Sequence, residues 1–97
     1  MKRIEFAQHA RLEVREAERF YAGISVSLGR RFSRAIEEAT ESIALAPTMW
    51  PMLTRNLRRY VVKRFPFVLL YRVDGDTVEI IAVAHPSRRP GYWLKRL

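Results

Sequence analysis

Two apolar runs, Val68–Val73 and Val78–His85, flank Asp74-Gly75-Asp76, and no other feature of the chain constrains its fold as much. Both runs are rich in Val, Ile, Leu and Tyr, the residues that suit a buried pleated surface. Asp74-Gly75 supplies the positive φ that a tight hairpin turn needs. A hairpin this apolar needs cover from another layer, because an isolated pair of strands is marginal in water. Its far end runs into Pro86-Ser87-Arg88-Arg89-Pro90-Gly91-Tyr92-Trp93. The hairpin therefore carries a His, two Arg, a Tyr and a Trp to one end of the molecule, a set suited to a phosphate-rich partner.

The preceding residues provide the cover. Ile4 and Phe6 alternate with Arg3 and Glu5, a short half-buried strand over residues 2–7. Ala10, Val14, Ala17, Tyr21 and Ile24 recur at steps of three and four, which predicts a helix from Gln8 to Gly23 or Ile24. Arg11, Glu13, Arg15, Glu16, Glu18 and Arg19 fill the remainder of that helix as its polar side. A second helix carries Leu28, Phe32, Ala35, Ile36, Ala39, Ile43 and Ala46, capped by Ser25 or Ser27 and stopped by Pro47. A link of about three residues makes the two an antiparallel helix hairpin. Pro47–Met52 reads as a loop in which Trp50 and two Met cover an edge of the core. Leu57–Arg64 reads as a strand with Arg58, Tyr60, Val62 and Arg64 on one side and Arg59, Val61 and Lys63 on the other. The alternation leaves open which side is exposed. It also leaves open whether Arg72 joins that patch or pairs with Glu79.

The expected fold is α+β. An N-terminal strand is followed by an antiparallel helix hairpin, packed on one face of a mostly antiparallel sheet that ends in a three-strand meander. At 97 residues, all of 1–97 forms a single domain.

Composition removes several functional classes. The chain has no Cys and only His9 and His85, so disulfides and thiolate metal sites are excluded and a structural zinc is not expected. No metal and no cofactor is assigned. No apolar run approaches the roughly 18 residues of a membrane helix, and the start lacks the apolar core of a signal peptide. The expected location is the cytoplasm. The net charge of +8 is unevenly placed: residues 1–48 hold eight Lys/Arg against seven Glu, and residues 49–97 hold ten against three acidic residues. A basic half points to an acidic partner on that side.

In order along the chain come Phe6 with Ala10, Glu16-Ala17 with Tyr21, and Leu28-Gly29 with Phe32. After Ile43 and Pro47 follow Arg58-Arg59-Tyr60, Phe65-Pro66-Phe67, Leu70-Tyr71-Arg72-Val73 and Ile80-Ile81-Ala82-Val83-Ala84-His85. In this order and spacing the chain resembles the RelE/ParE family of bacterial toxins over nearly its full length. The resemblance implies the toxin of a type II toxin–antitoxin pair, which arrests growth and is neutralised by a cognate antitoxin with an acidic C-terminal segment. RelE-like members cleave mRNA in the ribosomal A site, and ParE-like members inhibit DNA gyrase; one scaffold hosts both.

Metal-free RNA cleavage needs a base for the 2′-OH, cations around the phosphate and an acid for the leaving oxygen. His85, with an unperturbed pKa of about 6.5, Arg88 and Tyr92 are the candidates if the chain is a ribonuclease. Arg58, Arg59, Lys63, Arg64, Arg89 and Trp93 are the candidates for binding a target or nucleic acid, Trp93 by stacking. Two departures count against cleavage. Val68 stands where the best-known RelE-type enzymes carry a strand arginine, and Pro86 where they carry another. Gyrase is thus favoured over ribosome-bound mRNA. A basic nucleic-acid-binding module without toxicity is a third reading, though no helix-turn-helix, RNP or glycine-rich signature supports it. The tail from Pro86 to Leu97, broken by two prolines, is expected to lie across the sheet end as an ordered loop that serves activity more than stability. The rival expectation makes Trp93 a plug of the core.

Overall fold

The computed structural model describes every residue from Met1 to Leu97. Strand β1 (Arg3–Phe6) leads into helices α1 (Gln8–Ile24) and α2 (Val26–Leu45). Strands β2 (Met52–Thr54), β3 (Leu57–Val61), β4 (Val68–Asp74) and β5 (Thr77–Ala84) follow, and a 3₁₀ turn at Tyr92–Arg96 closes the chain. The sheet order is β1-β5-β4-β3-β2; β1 runs parallel to β5 and every other pair is antiparallel. The expected α+β architecture, with a helix hairpin on one face of the sheet, is the one observed.

Gly75, at φ 58°, makes the β4–β5 turn, and Asp74 pairs with Thr77 across it. Ser25 alone separates the helices, so the link is shorter than expected. Its hydroxyl accepts the Leu28 N–H at 3.0 Å and caps α2, while its own N–H closes α1 on the Tyr21 carbonyl. The helices touch where Gly29 meets Ala22, and a Cβ on Gly29 would stand 3.0 Å from that residue. Ala10 and Ala17 from α1 and Phe32, Ile36, Ala39 and Ile43 from α2 pack on Tyr60, Val62, Leu69, Tyr71, Val78, Ile80 and Val83. Tyr21, Phe32, Phe65 and Phe67 form an aromatic knot inside that layer, with centroids 5.0–6.4 Å apart. The buried hydroxyl of Tyr71 donates to the Pro47 carbonyl at 2.6 Å.

Three expectations need correction. Part of the presumed Pro47–Met52 loop belongs to a fifth strand, β2, which ends in a two-residue turn where Asn56 takes φ 60°. Trp50 does pack on the core, edge-on to Tyr60 at 4.7 Å, but Met49 and Met52 are exposed and cover nothing. Strand β3 ends at Val61 and not at Arg64. Arg64 turns left-handed at φ 70°, and Pro66, lacking an N–H, could not extend the ladder.

Strand β5 carries one irregularity with consequences for the site. Leu70 pairs with Ala82 and Tyr71 with Ile80, so Ile81 is an extra residue in β5, a β-bulge. Ile81 and Ala82 therefore both join the sheet face away from the helices, with Leu57 and Leu70. Val83 returns to the helix side.

Candidate functional site

The face away from the helices holds a small cluster, Leu57, Leu70, Ile81 and Ala82, on which Val68, Ala84 and Trp93 pack. Trp93 reaches it because the tail doubles back after β5. The Arg88 N–H bonds the His85 carbonyl at 3.0 Å, Gly91 takes φ 76°, and Tyr92–Arg96 then winds as a 3₁₀ turn. The tail is thus no plain loop. It is a lid with one aromatic residue on the sheet.

What pins the lid lies on α1. Glu13 is buried between Ala10 and Ala17. Its Oε1 accepts the Val83 N–H at 2.9 Å. The same carboxylate accepts both terminal nitrogens of Arg96, at 2.9 and 3.0 Å, and the Tyr92 hydroxyl at 2.5 Å. Arg96 also donates to the Ile81 carbonyl at 3.2 Å. The Arg88 guanidinium lies 4.0 Å over the Tyr92 ring and 3.8 Å from Glu13 Oε2, while Arg96 approaches that ring at 5.0 Å. Burial pushes the Glu13 carboxyl pKa up, but bonds from Arg96, Tyr92 and Val83 outweigh it and hold it below the ordinary carboxylate value. Burial and the bond to Glu13 push the Tyr92 hydroxyl well above the usual tyrosine range. Arg96 is raised, first by its bond to Glu13.

Six of the nine candidate residues line one groove of about 410 Å³: Arg59, His85, Arg88, Arg89, Tyr92 and Trp93. The other three stand elsewhere. Arg58 donates to the Trp50 carbonyl at 2.7 Å, whereas Arg59 is exposed, which resolves the two sides of β3. Lys63 and Arg64 are exposed in the turn beyond β3. Arg72 pairs with Glu79 at 2.8 Å and does not join the groove. Val68 lies on the groove wall.

His85 sits on the ridge between this groove and a second one of about 320 Å³ along α1, and Arg88 shares the ridge. The His85 Nδ1 accepts the Ser87 N–H at 3.0 Å and lies 2.8 Å from Ser87 Oγ; the ring packs edge-on to Phe67 at 5.0 Å. The groove therefore offers cations and aromatic surface in quantity. Its Tyr92 hydroxyl is already committed as a donor to a carboxylate.

Glu13 and Arg96 escaped the sequence reading. The signal for Glu13 was its place three residues after Ala10 and four before Ala17, on the apolar stripe of α1. Nothing marked Arg96 among the four tail cations.

The family model described as ParE toxin of type II toxin-antitoxin system, parDE, matches residues 4–90. Among solved structures, the chain is similar to one described as the chromosomal ParDE TA system from P. aeruginosa. That match has a TM-score of 0.63 at 15% identity, covering 88% of this chain and 96% of that one. At this identity the likeness concerns the fold. No curated protein matches the sequence.

Proposed function

The chain belongs to the ParE toxin family of type II toxin–antitoxin systems, and from that premise we propose that it arrests bacterial growth by inhibiting DNA gyrase. The supporting observation is the state of the Tyr92 hydroxyl, engaged with Glu13 at 2.5 Å and made a weaker acid by it. General acid–base work asks for a group poised near the operating pH. Val68 on the groove wall points the same way, standing where RelE-type relatives carry an arginine. The surface thus suits binding better than RNA cleavage. Its partner in this reading is a co-encoded antitoxin, whose acidic C-terminal segment lies on the basic half, and both act in the cytoplasm.

One observation favours mRNA cleavage instead. His85 stands beside Arg88 on the ridge, and its bonds reach only Nδ1. The test runs a supercoiling assay with purified protein beside primer extension on mRNA after induction. Loss of supercoiling with intact mRNA is the expected result. Codon-phased cuts that disappear in His85→Ala or Arg88→Ala would replace this reading with the ribonuclease one.

A further inference from the structure

The four cations of the tail, Arg88, Arg89, Lys95 and Arg96, have no acidic residue among them. Four like charges in one short segment repel one another and need a counter-charge from elsewhere to pack together. The structure supplies its counter-charge from a distant element, since Glu13 lies 79 residues before Tyr92 in sequence. One carboxylate gathers Arg96 through a two-pronged pair, Tyr92 through its hydroxyl and Arg88 at 3.8 Å. The Val83 N–H fixes the carboxylate in turn. The order of these contacts matters. Arg88 is half-exposed at the groove, but the ring it stacks on is held by Glu13 and the carboxylate lies behind it.

We propose that Glu13 is a positioning residue of the toxin's working surface: it touches no target, and it sets Arg88 and the Tyr92–Trp93 turn in the geometry that the target meets. This rests on the proposed function only in taking growth inhibition as the activity; the identity of the target is immaterial to it.

Glu13→Gln is the informative change. Its amide oxygen can still answer the Val83 N–H, but its NH₂ then faces the donors of Arg96, so the two-pronged pair is lost. Arg88 loses its carboxylate at the same time. The experiment measures side-chain ¹⁵N relaxation at Arg88 Nε and, separately, the induction level that halves growth. The comparison variant is Ile36→Val or Val78→Ala in the helix-side core, whichever melts at the same temperature as Glu13→Gln. Glu13→Asp, which keeps the charge and retracts it by one bond, is read in the same two ways and carries the test if the Gln variant does not fold.

The expected result is a mobile Arg88 Nε in Glu13→Gln with growth inhibition weakened on the order of tenfold, the loss expected when one positioned cation of a binding surface is disordered. The core variant keeps both wild-type values. An Arg88 Nε as ordered as in wild type would overturn the proposal, and so would a core variant that loses as much activity. If wild type stops growth without touching gyrase, the target assignment fails and this comparison stands. If wild type does not stop growth at all, the relaxation measurement alone decides, by the same criterion.

Discussion

The two faces of the sheet are held by different forces. Toward the helices lies a layer in which Phe32, Ile43, Leu69, Tyr71, Val78 and Ile80 are all fully buried and an aromatic knot fills one end. Its buried polar atoms are few: the Tyr71 hydroxyl has its partner in Pro47, the Trp50 indole N–H has none, and the Glu13 carboxylate at its edge is the point to which the tail is tied. Away from the helices, only four residues form a buried cluster, and its cover is a single half-buried indole on a lid. That lid is fastened by one carboxylate, two guanidinium groups and a phenol. Burial of apolar area is additive and indifferent to pH, whereas a charge network depends on each member and on protonation. The scaffold and the surface it presents are therefore separable in principle, although one short chain encodes both.

The largest expected break is in the scaffold. Phe32→Ala should cost about 3–5 kcal/mol, because it opens a cavity amid three other rings. That is a large part of the roughly 5–15 kcal/mol available to a domain of this kind, so urea or thermal melts should show loss of the native transition. The second break is in the lid. Arg96→Met should cost about 2–3 kcal/mol, below the roughly 3–5 of a fully buried pair, because Tyr92 and Arg88 still face the carboxylate. Melting curves should remain cooperative, and Trp93 emission, read in a Trp50→Phe background, should report a loosened tail. The smallest effect belongs to the open end of the sheet. The Arg72–Glu79 pair is 42% and 36% exposed, so Arg72→Ala should change stability by less than about 1 kcal/mol. A larger loss would mean that ion pairs away from the lid also carry stability, and the contrast between lid and scaffold would blur.

The same contrast explains what was legible beforehand. Strands β3, β4 and β5 and both helices declare themselves because each buries a stripe, and a buried stripe leaves a period in the residues. Strand β2 leaves none: Met52, Leu53 and Thr54 are all exposed, and backbone pairing with β3 alone defines them. The side of β3 facing solvent was ambiguous because Arg58 and Arg59 are chemically alike; only the Trp50 carbonyl, brought in by the preceding turn, tells them apart. The bulge at Ile81 is invisible within the apolar run Ile80–Val83. Glu13 is the instructive case. In Arg11-Leu12-Glu13-Val14-Arg15-Glu16 it reads as one more solvent charge; its spacing from Ala10 and Ala17 marks the buried stripe, but its partner is an arginine 83 residues away. Of the site, the groove residues at the end of β5 were readable by position, while the device that orders them was a long-range pairing that no local pattern encodes.

The pH dependence follows with a definite sign. The Glu13 carboxyl is held below its ordinary value in the folded protein, so its contribution is complete above the unfolded carboxylate pKa of about 4.3 and is lost as pH falls through the depressed folded value. The groups facing it are Tyr92, Arg88 and Arg96 from the tail, the Val83 N–H from β5, and Glu16 and His85 along the adjoining groove. Acid should therefore undo the lid before it undoes the scaffold.

The most direct test is an NMR titration from pH 7 to pH 2.5 that follows the Val83 amide, which bonds Glu13 itself, beside the Tyr92 and Tyr71 rings. The Val83 and Tyr92 signals should move together with a midpoint below about 4.3, while Tyr71 stays at its native position through that step. A midpoint at or above the ordinary carboxylate value, or one transition that carries Val83, Tyr92 and Tyr71 together, would contradict the separation of lid from scaffold.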